Sequence, residues 1–578
     1  MLSTPAYHSR HIPKEWVNSE TLSGKNVLLN GLCDTLDSEV LKKLKDCGVE
    51  LIETRVVWWE IEKTSGQLDF TCLERRLDKI EKADLKAGVF PWFQHPPKWF
   101  DSKHLEHIRF RCLEHDQDST IISLWDPKTL DVYDKLYGEL ARKVGPRLSF
   151  LYAGISGDFG EICYPSGVNH YLFSPPHNHH GFWCGDCLAR KSFAEKLQEK
   201  YGTLDDLNAN WHTNYTEWSY DLMPSLPIDG CCAQRRYDFA LWYIESLMNF
   251  TKSACGVICS HFKEIDIAVP VGFVDESLPV GQIKSLAVKA AAEFDMIIRW
   301  TGMAHLGSFE KSNVLARRFS SAAHFYNTEF ATEAALILSE DNAANGLYES
   351  LANGASIIHD DPQNIFRAFD VHKKLRPKII IDPPITSVAV FYPVETELLE
   401  GQILERSFPE KLTDFTATFV SRASEFRRVA DYDICDSYMI KDGFLRGKTD
   451  IFFVINCSIP EDVVLLLIDF AKTCGRVWIY SDVEPILLEA YLKGEKKYFT
   501  DIGRHAGASF FQTADTNLPG IYYFNQYPEI EPYKSLKQKY GDNTTTFYTC
   551  HHDYISQYNS ETQEIKLYPR LQDCMLLF

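Results

Sequence analysis

VLLNGLCDTLDSEVLKKLKDCGVELIETRVVWWE, residues 27–60, decides the fold. The apolar run Val27–Cys33 gives way to a polar turn. Ser38 then caps a segment in which Val40, Leu41, Leu44 and Cys47 recur at helical spacing. Gly48 follows, as a glycine just past a helix end should. Val49–Trp59 is a second apolar run. Strand, helix and strand therefore succeed one another, with a Gly and a cap at the joints.

The alternation continues outward to about residue 360. Cys72–Leu85 reads as a charged amphipathic helix and Ala87–Phe93 as a third strand. Ser149–Glu161 holds a fourth. Ile265–Phe273, Phe294–Trp300, Ala322–Phe330 and Gly354–Asp360 supply four more. Eight strands separated by helices predict an α/β chain whose residues 1–383 form a (β/α)8 barrel. From Pro383 the pattern restarts. Val388–Val394, Ile451–Asn456 and Val477–Tyr480 are short strands, with helices at Phe415–Tyr432 and Glu461–Cys474. This predicts an open, flavodoxin-like unit over 384–530. It carries no Gly-rich phosphate loop. Residues 531–578, rich in Tyr, Thr and His, read as a small β-rich C-terminal region.

Composition narrows the partners. The net charge of −20 argues against nucleic acid and anionic membranes. Runs such as VVLLLIDFA are too short to span a bilayer. The N-terminal residues contain no apolar signal core, which predicts a cytoplasmic protein. The 16 cysteines then read as free thiols or metal ligands rather than disulfides.

The strand ends share a chemical trend. Glu53 to Glu60, Trp92 to His95, Asp158 to Glu161, Asp275 and Glu276, Arg299 and Trp300, Glu329, and His359 to Asp361 each follow an apolar run. Barrel active sites lie at the C-terminal face of the strands, so these residues are expected to converge. Glu161, in GISGDFGEICYPSG, and Glu329, in AHFYNTEFATE, are placed by this reading at the ends of the fourth and seventh strands. Two carboxyls across a barrel mouth are what glycosidic cleavage needs: one protonates the leaving oxygen, the other attacks or activates water.

Four stretches resemble glycoside hydrolase family 42, the bacterial β-galactosidases. They are LIETRVVWWEIEKTSGQLDF, VFPWFQHPPKWF, FWCGDCLARKSFAEKLQEKYGTLDDLNANWHTNYTEWSYDL and ESLANGASIIHDDPQN. The resemblance implies a retaining exo-β-glycosidase in which Glu161 is the acid/base and Glu329 the nucleophile. It implies sugar contacts from Trp58, Glu60, Trp92, His95, Asp158, Arg299, Trp300 and His359. It also implies a homotrimer built through the second unit, and an oligosaccharide or glycoside as substrate, with no cofactor required. A structural zinc would fall to Cys112, Cys184 and Cys187, completed by His179, His180 or Cys163, because Phe182 stands at the family's fourth cysteine. The chain departs from the pattern at Gly160, where the family has Asn. GDFGEICYPSG is there similar to the β-amylase loop that holds a catalytic acid. The alternatives are an inverting, β-amylase-like hydrolase, a non-catalytic sugar-binding barrel, and a substrate that differs from galactose at C2, such as a β-mannoside.

Overall fold

The computed structural model describes residues 28–32, 37–100, 108–165, 181–219, 222–224, 232–272, 278–302, 309–333, 353–375, 378–381, 387–400, 414–426, 432–511 and 518–528, with short pieces at 343, 350, 430, 546–547, 556–559 and 564–567. Eight parallel strands close into a barrel: β1 (Leu28–Leu32), β2 (Leu51–Val57), β3 (Lys86–Trp92), β4 (Phe150–Tyr152), β5 (Asp266–Val271), β6 (Ile297–Thr301), β7 (Phe330–Glu333) and β8 (Ala355–Asp360). Each pairs with its sequence neighbour, and β8 closes on β1.

The opening βαβ reading holds in detail. Helix α1 (Ser38–Asp46) buries Leu41 and Leu44. Its cap is Asp37 rather than Ser38: the Asp37 carboxylate accepts the Glu39 N–H at 2.7 Å. Aspartate at that position serves the exposed amides as well as serine would. Gly48 follows with a φ of +90°, the left-handed backbone that favours glycine. Helices α2 (Thr71–Lys82), α3 (Lys128–Val144), α4 (Ala233–His261), α5 (Lys284–Ala292), α6 (Phe309–Tyr326) and α7 (Pro362–Leu375) follow β2 to β6 and β8. Two further helices, Cys187–Tyr201 and Leu204–Trp211, lie between β4 and α4.

The two-residue period of the strands sorts side chains into two cores. Leu51, Val57, Phe90, Trp92, Phe150, Tyr152, Ala268, Ile297, Ala331 and Ile357 fill the barrel interior. Their sequence neighbours Ile52, Val56, Val89, Leu151, Val269, Ile298, Trp300, Phe330 and Ile358 face the helix layer. Membership of one set or the other decides which residues can meet a substrate.

The seventh strand departs from the sequence reading. Ala322–Tyr326 forms the last turn of α6, and Asn327 leaves it with a φ of +57°. The strand starts only at Phe330. The apolar run Ala322–Phe330 was helix end and turn, because AAHFY serves a buried helix face as readily as a strand.

A second, open sheet follows, formed by β9 (Val388–Phe391), β10 (Asp433–Cys435), β11 (Asp450–Phe453), β12 (Arg476–Tyr480), β13 (Phe510–Phe511) and β14 (Gly520–Phe524). Its order is β10-β9-β11-β12-β14-β13, all parallel. It meets the barrel along α5 and α6. There the Ile434 N–H donates to Ser321 Oγ at 3.0 Å, and Asp442 accepts from Lys289 at 2.7 Å and Tyr326 at 2.8 Å. A strand at Lys378–Ile381 pairs in parallel with Glu564–Leu567. The latter continues antiparallel through Ser556–Asn559 to Thr546–Phe547. The C-terminal residues thus complete a sheet begun just before the boundary read at 383. Among the described residues no helix is long and apolar enough to cross a membrane.

Candidate active site at the barrel mouth

Glu161 sits on the loop that leaves β4. That loop is a tight hairpin: Ile155 N–H donates to Gly160 O at 2.7 Å, Gly157 N–H to Glu161 O at 2.9 Å, and Gly160 N–H to Gly157 O at 3.0 Å. Gly160 has a φ of +81°, and a Cβ there would stand 3.1 Å from both Phe90 and Trp92. An asparagine would be strained and crowded at once, which accounts for the glycine where the family pattern has Asn. Ile162 N–H donates to Pro270 O, so the loop leans across the end of β5. The Gln282 amide donates to both Ile162 O and Gly272 O, and Lys284 Nζ donates to the Gln282 carbonyl at 2.9 Å. Glu161 therefore lies over Gly272. A Cβ on that glycine would fall 2.3 Å from Oε2 and 2.4 Å from Cδ. Gly272→Ala is expected to displace the carboxyl. A shift of about 1 Å in a reacting group costs about 10²-fold, so kcat should fall by about that factor while the unfolding temperature changes little. Steady-state kinetics beside a thermal melt checks this.

Arg299, inward on β6 and 1% exposed, organises the opposite wall. Its Nη1 lies 3.0 Å from Glu53 Oε2, and its Nη2 lies 2.8 Å from Glu333 Oε2. The guanidinium is 5.2 Å from the Phe90 ring centre and 5.0 Å from that of Tyr152. Burial works against its charge. Glu333 and Glu53, followed by Tyr152 and Glu161, outweigh that and raise its pKa above the ordinary arginine value. Thr301 Oγ1 donates to Glu333 Oε2 at 2.6 Å. On β8, His359 Nδ1 is 3.0 Å from the Tyr152 hydroxyl. Burial, then Arg299, hold this imidazole well below its ordinary pKa, hence neutral. Beside it, burial raises the Asp360 carboxyl to about 8, with Asp361 and Glu333 adding like-charge repulsion.

The strand shift corrects Glu329. It precedes β7, where its carbonyl accepts the Ile298 N–H and its carboxylate accepts the Ser356 hydroxyl at 2.8 Å. Glu333, four residues on, ends the strand and faces inward toward Arg299. At about 3.3 Å per residue the two positions are about 13 Å apart along the strand. Only Glu333 is at the C-terminal face.

Other sequence-read residues divide by face. Trp92 lies in the barrel interior, edge-on to Phe159 with ring centres 5.7 Å apart. Asp158 and His95 hold the Glu161 loop: His95 Nε2 is 2.9 Å from the Asp158 carbonyl, and burial lowers its pKa to about 4. Trp58 and Trp300 face outward, contrary to expectation. Trp58 is buried on Trp99 and Phe100 with its Nε1 2.6 Å from Glu62. Trp300 stacks on Phe319 of α6. Odd–even alternation from Ile297 puts Trp300 on the helix side, whereas Trp58 opens a short helical turn, Trp58–Ile61, just past the end of β2. Glu60 lies 3.9 Å from Arg76 on α2, away from the Arg299 cluster. Alternation along β2 places Glu53 and Arg55 on the inner side; Arg55 lies over Trp92 at 5.2 Å, and Trp59, on the helical turn, packs half-buried against the interior cluster.

The cysteines expected to hold zinc stand as follows. Cys112 and Cys184 are buried, and burial raises Cys112 to about 12 and Cys184 well above its ordinary value. Cys187 is exposed, and Cys163 lies buried against Gly157. Among the described residues no three His, Cys, Asp or Glu side chains are placed to hold a metal. His179, His180, Asp275 and Glu276 lie outside the described residues.

A closed eightfold barrel with two acidic side chains facing its C-terminal mouth defines the architecture shared by many glycoside hydrolases. The family model of glycoside hydrolase family 42, described as beta-galactosidase, matches residues 34–328. The chain belongs to that family. It is 21% identical to the beta-galactosidase LacZ of Heyndrickxia coagulans, over 40% of this chain and 33% of that one. It is 24% identical to a thermophilic beta-amylase of Thermoanaerobacterium thermosulfurigenes, over 40% and 45%. The aligned part spans less than half of either relative. The crystal structure of the beta-galactosidase from Bacillus circulans sp. alkalophilus superposes with a TM-score of 0.59 at 12% identity, covering 79% of this chain and 72% of that one.

Proposed function

We propose that the chain is a glycoside hydrolase that removes terminal β-linked sugars, with Glu161 as acid/base and Glu333 as nucleophile. The observation that carries this reading is the buried Arg299, which pairs with both Glu333 and Glu53 inside the barrel. In the first step Glu161 gives its proton to the glycosidic oxygen as the C1–O bond breaks. Glu333 closes on C1 and forms an ester. Water, deprotonated by Glu161, then attacks C1 and frees Glu333. Thr301 and Arg299 both hold Oε2 of Glu333, which leaves Oε1 to attack. Trp92, Trp59 and Phe159 offer apolar faces to the C–H side of a sugar ring.

A second reading rests on Gly160 and the hairpin around it. With no side chain before the acid, the usual 2-OH contact is absent, as in the β-amylase-like loop. The base would then activate water directly in a single displacement, or the sugar would differ at C2. The first anomer released from an aryl β-glycoside, followed by NMR, decides between the displacements. Double displacement is expected to release the β anomer; α-anomer release would establish inversion and overturn the nucleophile role.

A further inference from the structure

Glu53 is a third buried carboxylate at the site, and the double displacement gives it no work. It stands on β2, across the barrel from Glu333, and is 4% exposed. Its Oε2 is 3.0 Å from Arg299 Nη1, on the side of the guanidinium opposite the Nη2 that meets Glu333. The Phe90 and Tyr152 rings, their centres 5.5 Å apart, border the cation together at 5.2 and 5.0 Å. One positive charge is thus shared between two carboxylates in a dry interior, where Coulomb terms are screened least. Were Glu53 neutral, the whole charge of Arg299 would bear on Glu333.

We propose that Glu53 is a positioning residue that divides the charge of Arg299, so that Glu333 is held in place without being quenched as a nucleophile or base. The proposal rests on the reading of Glu333 given above. Against Glu333 itself, among the described residues, stand Thr301 on β6 and His359 and Asp360 on β8, while Tyr152 on β4 and Glu161 on the loop after it act on Arg299. His359 is neutral and Thr301 uncharged; among the described residues Arg299 is the cation that meets this carboxylate, and Glu53 competes for it. Glu53 touches no reacting atom. It acts through Arg299.

The test is the pH profile of kcat/KM with an aryl β-glycoside for the wild type and Glu53→Gln. Glutamine keeps an acceptor for Nη1 and removes the charge. The acidic limb, which reports loss of the negative carboxylate, is expected to move down by about one pH unit or more, with kcat reduced about tenfold. Glu53→Asp keeps the charge and should return the limb to its wild-type position. A merely structural role would lower activity or the unfolding temperature and leave the limb in place, and that result overturns the proposal. If Glu53→Gln unfolds, the neutral pair Glu53→Gln/Arg299→Met serves instead. It removes the cation as well, so the limb should rise above that of the wild type; an unmoved limb again overturns the proposal. Glu333→Gln is measured alongside. If it remains active, the reading of Glu333 has failed; if it is dead and the Glu53 limb is unmoved, only the present inference has.

Discussion

Glu333→Gln is expected to reduce turnover by about 10⁴-fold or more while the protein stays folded. The amide cannot form the glycosyl ester. The substitution also leaves Arg299 paired to Glu53 alone, so the guanidinium keeps a carboxylate partner and the interior is not left with an uncompensated charge. Glu329→Gln is the matched control. Its side chain meets Ser356 at the opposite end of the strand, and glutamine can accept the same hydrogen bond. Its turnover should stay near the wild-type value. Parallel assays of the two variants, with circular dichroism to confirm folding, distinguish them: a dead Glu329→Gln beside an active Glu333→Gln would reverse the assignment.

Glu161→Ala should show a different dependence on the leaving group. A general acid contributes about 10²- to 10⁴-fold where the departing oxygen needs a proton. Methyl or alkyl glycosides should lose that factor. Dinitrophenyl glycosides, whose leaving group departs unprotonated, should still form the ester with Glu333. Azide added to the variant should attack the ester from the side that alanine vacates, releasing a glycosyl azide. Equal fractional loss on both substrate types, with no azide product, would remove Glu161 from the acid role and pass it to Asp158, on the same hairpin.

Much of this was legible in the order of residues. The strand–helix rhythm from residue 27 to 60 named the barrel, and the GDFGEICYPSG stretch falls on the loop that leaves β4. What failed was phase. Trp300 is large, aromatic and at a strand end, as sugar platforms are, yet one residue of offset turns it toward the helices, and Trp58 lies in a helical turn just past its strand. Counting by twos from Leu51 or Ile297 would have found Glu53, Arg55, Arg299 and Thr301 in their place. Glu329 failed for a related reason. Thr-Glu occurs twice within six residues, at 328–329 and 332–333, with the same inward phase. Only the left-handed Asn327 tells which pair begins the strand and which ends it. The clustering of Glu53 with Glu333 is beyond periodicity, since it is made by Arg299, 246 positions from Glu53.

The pairing of Lys378–Ile381 with Glu564–Leu567 has a consequence in time. A ribosome adds about 5–20 residues per second. The 183 positions from 381 to 564 therefore take about 10 to 40 seconds to make. Throughout that interval the barrel can close and the second sheet can assemble, but the segment Lys-Ile-Ile-Ile has no strand to join. It is a short, apolar, β-branched edge of the kind that recruits neighbouring chains. Its partner, Glu564–Leu567, is made only after that interval, so its synthesis is the step that seals this edge.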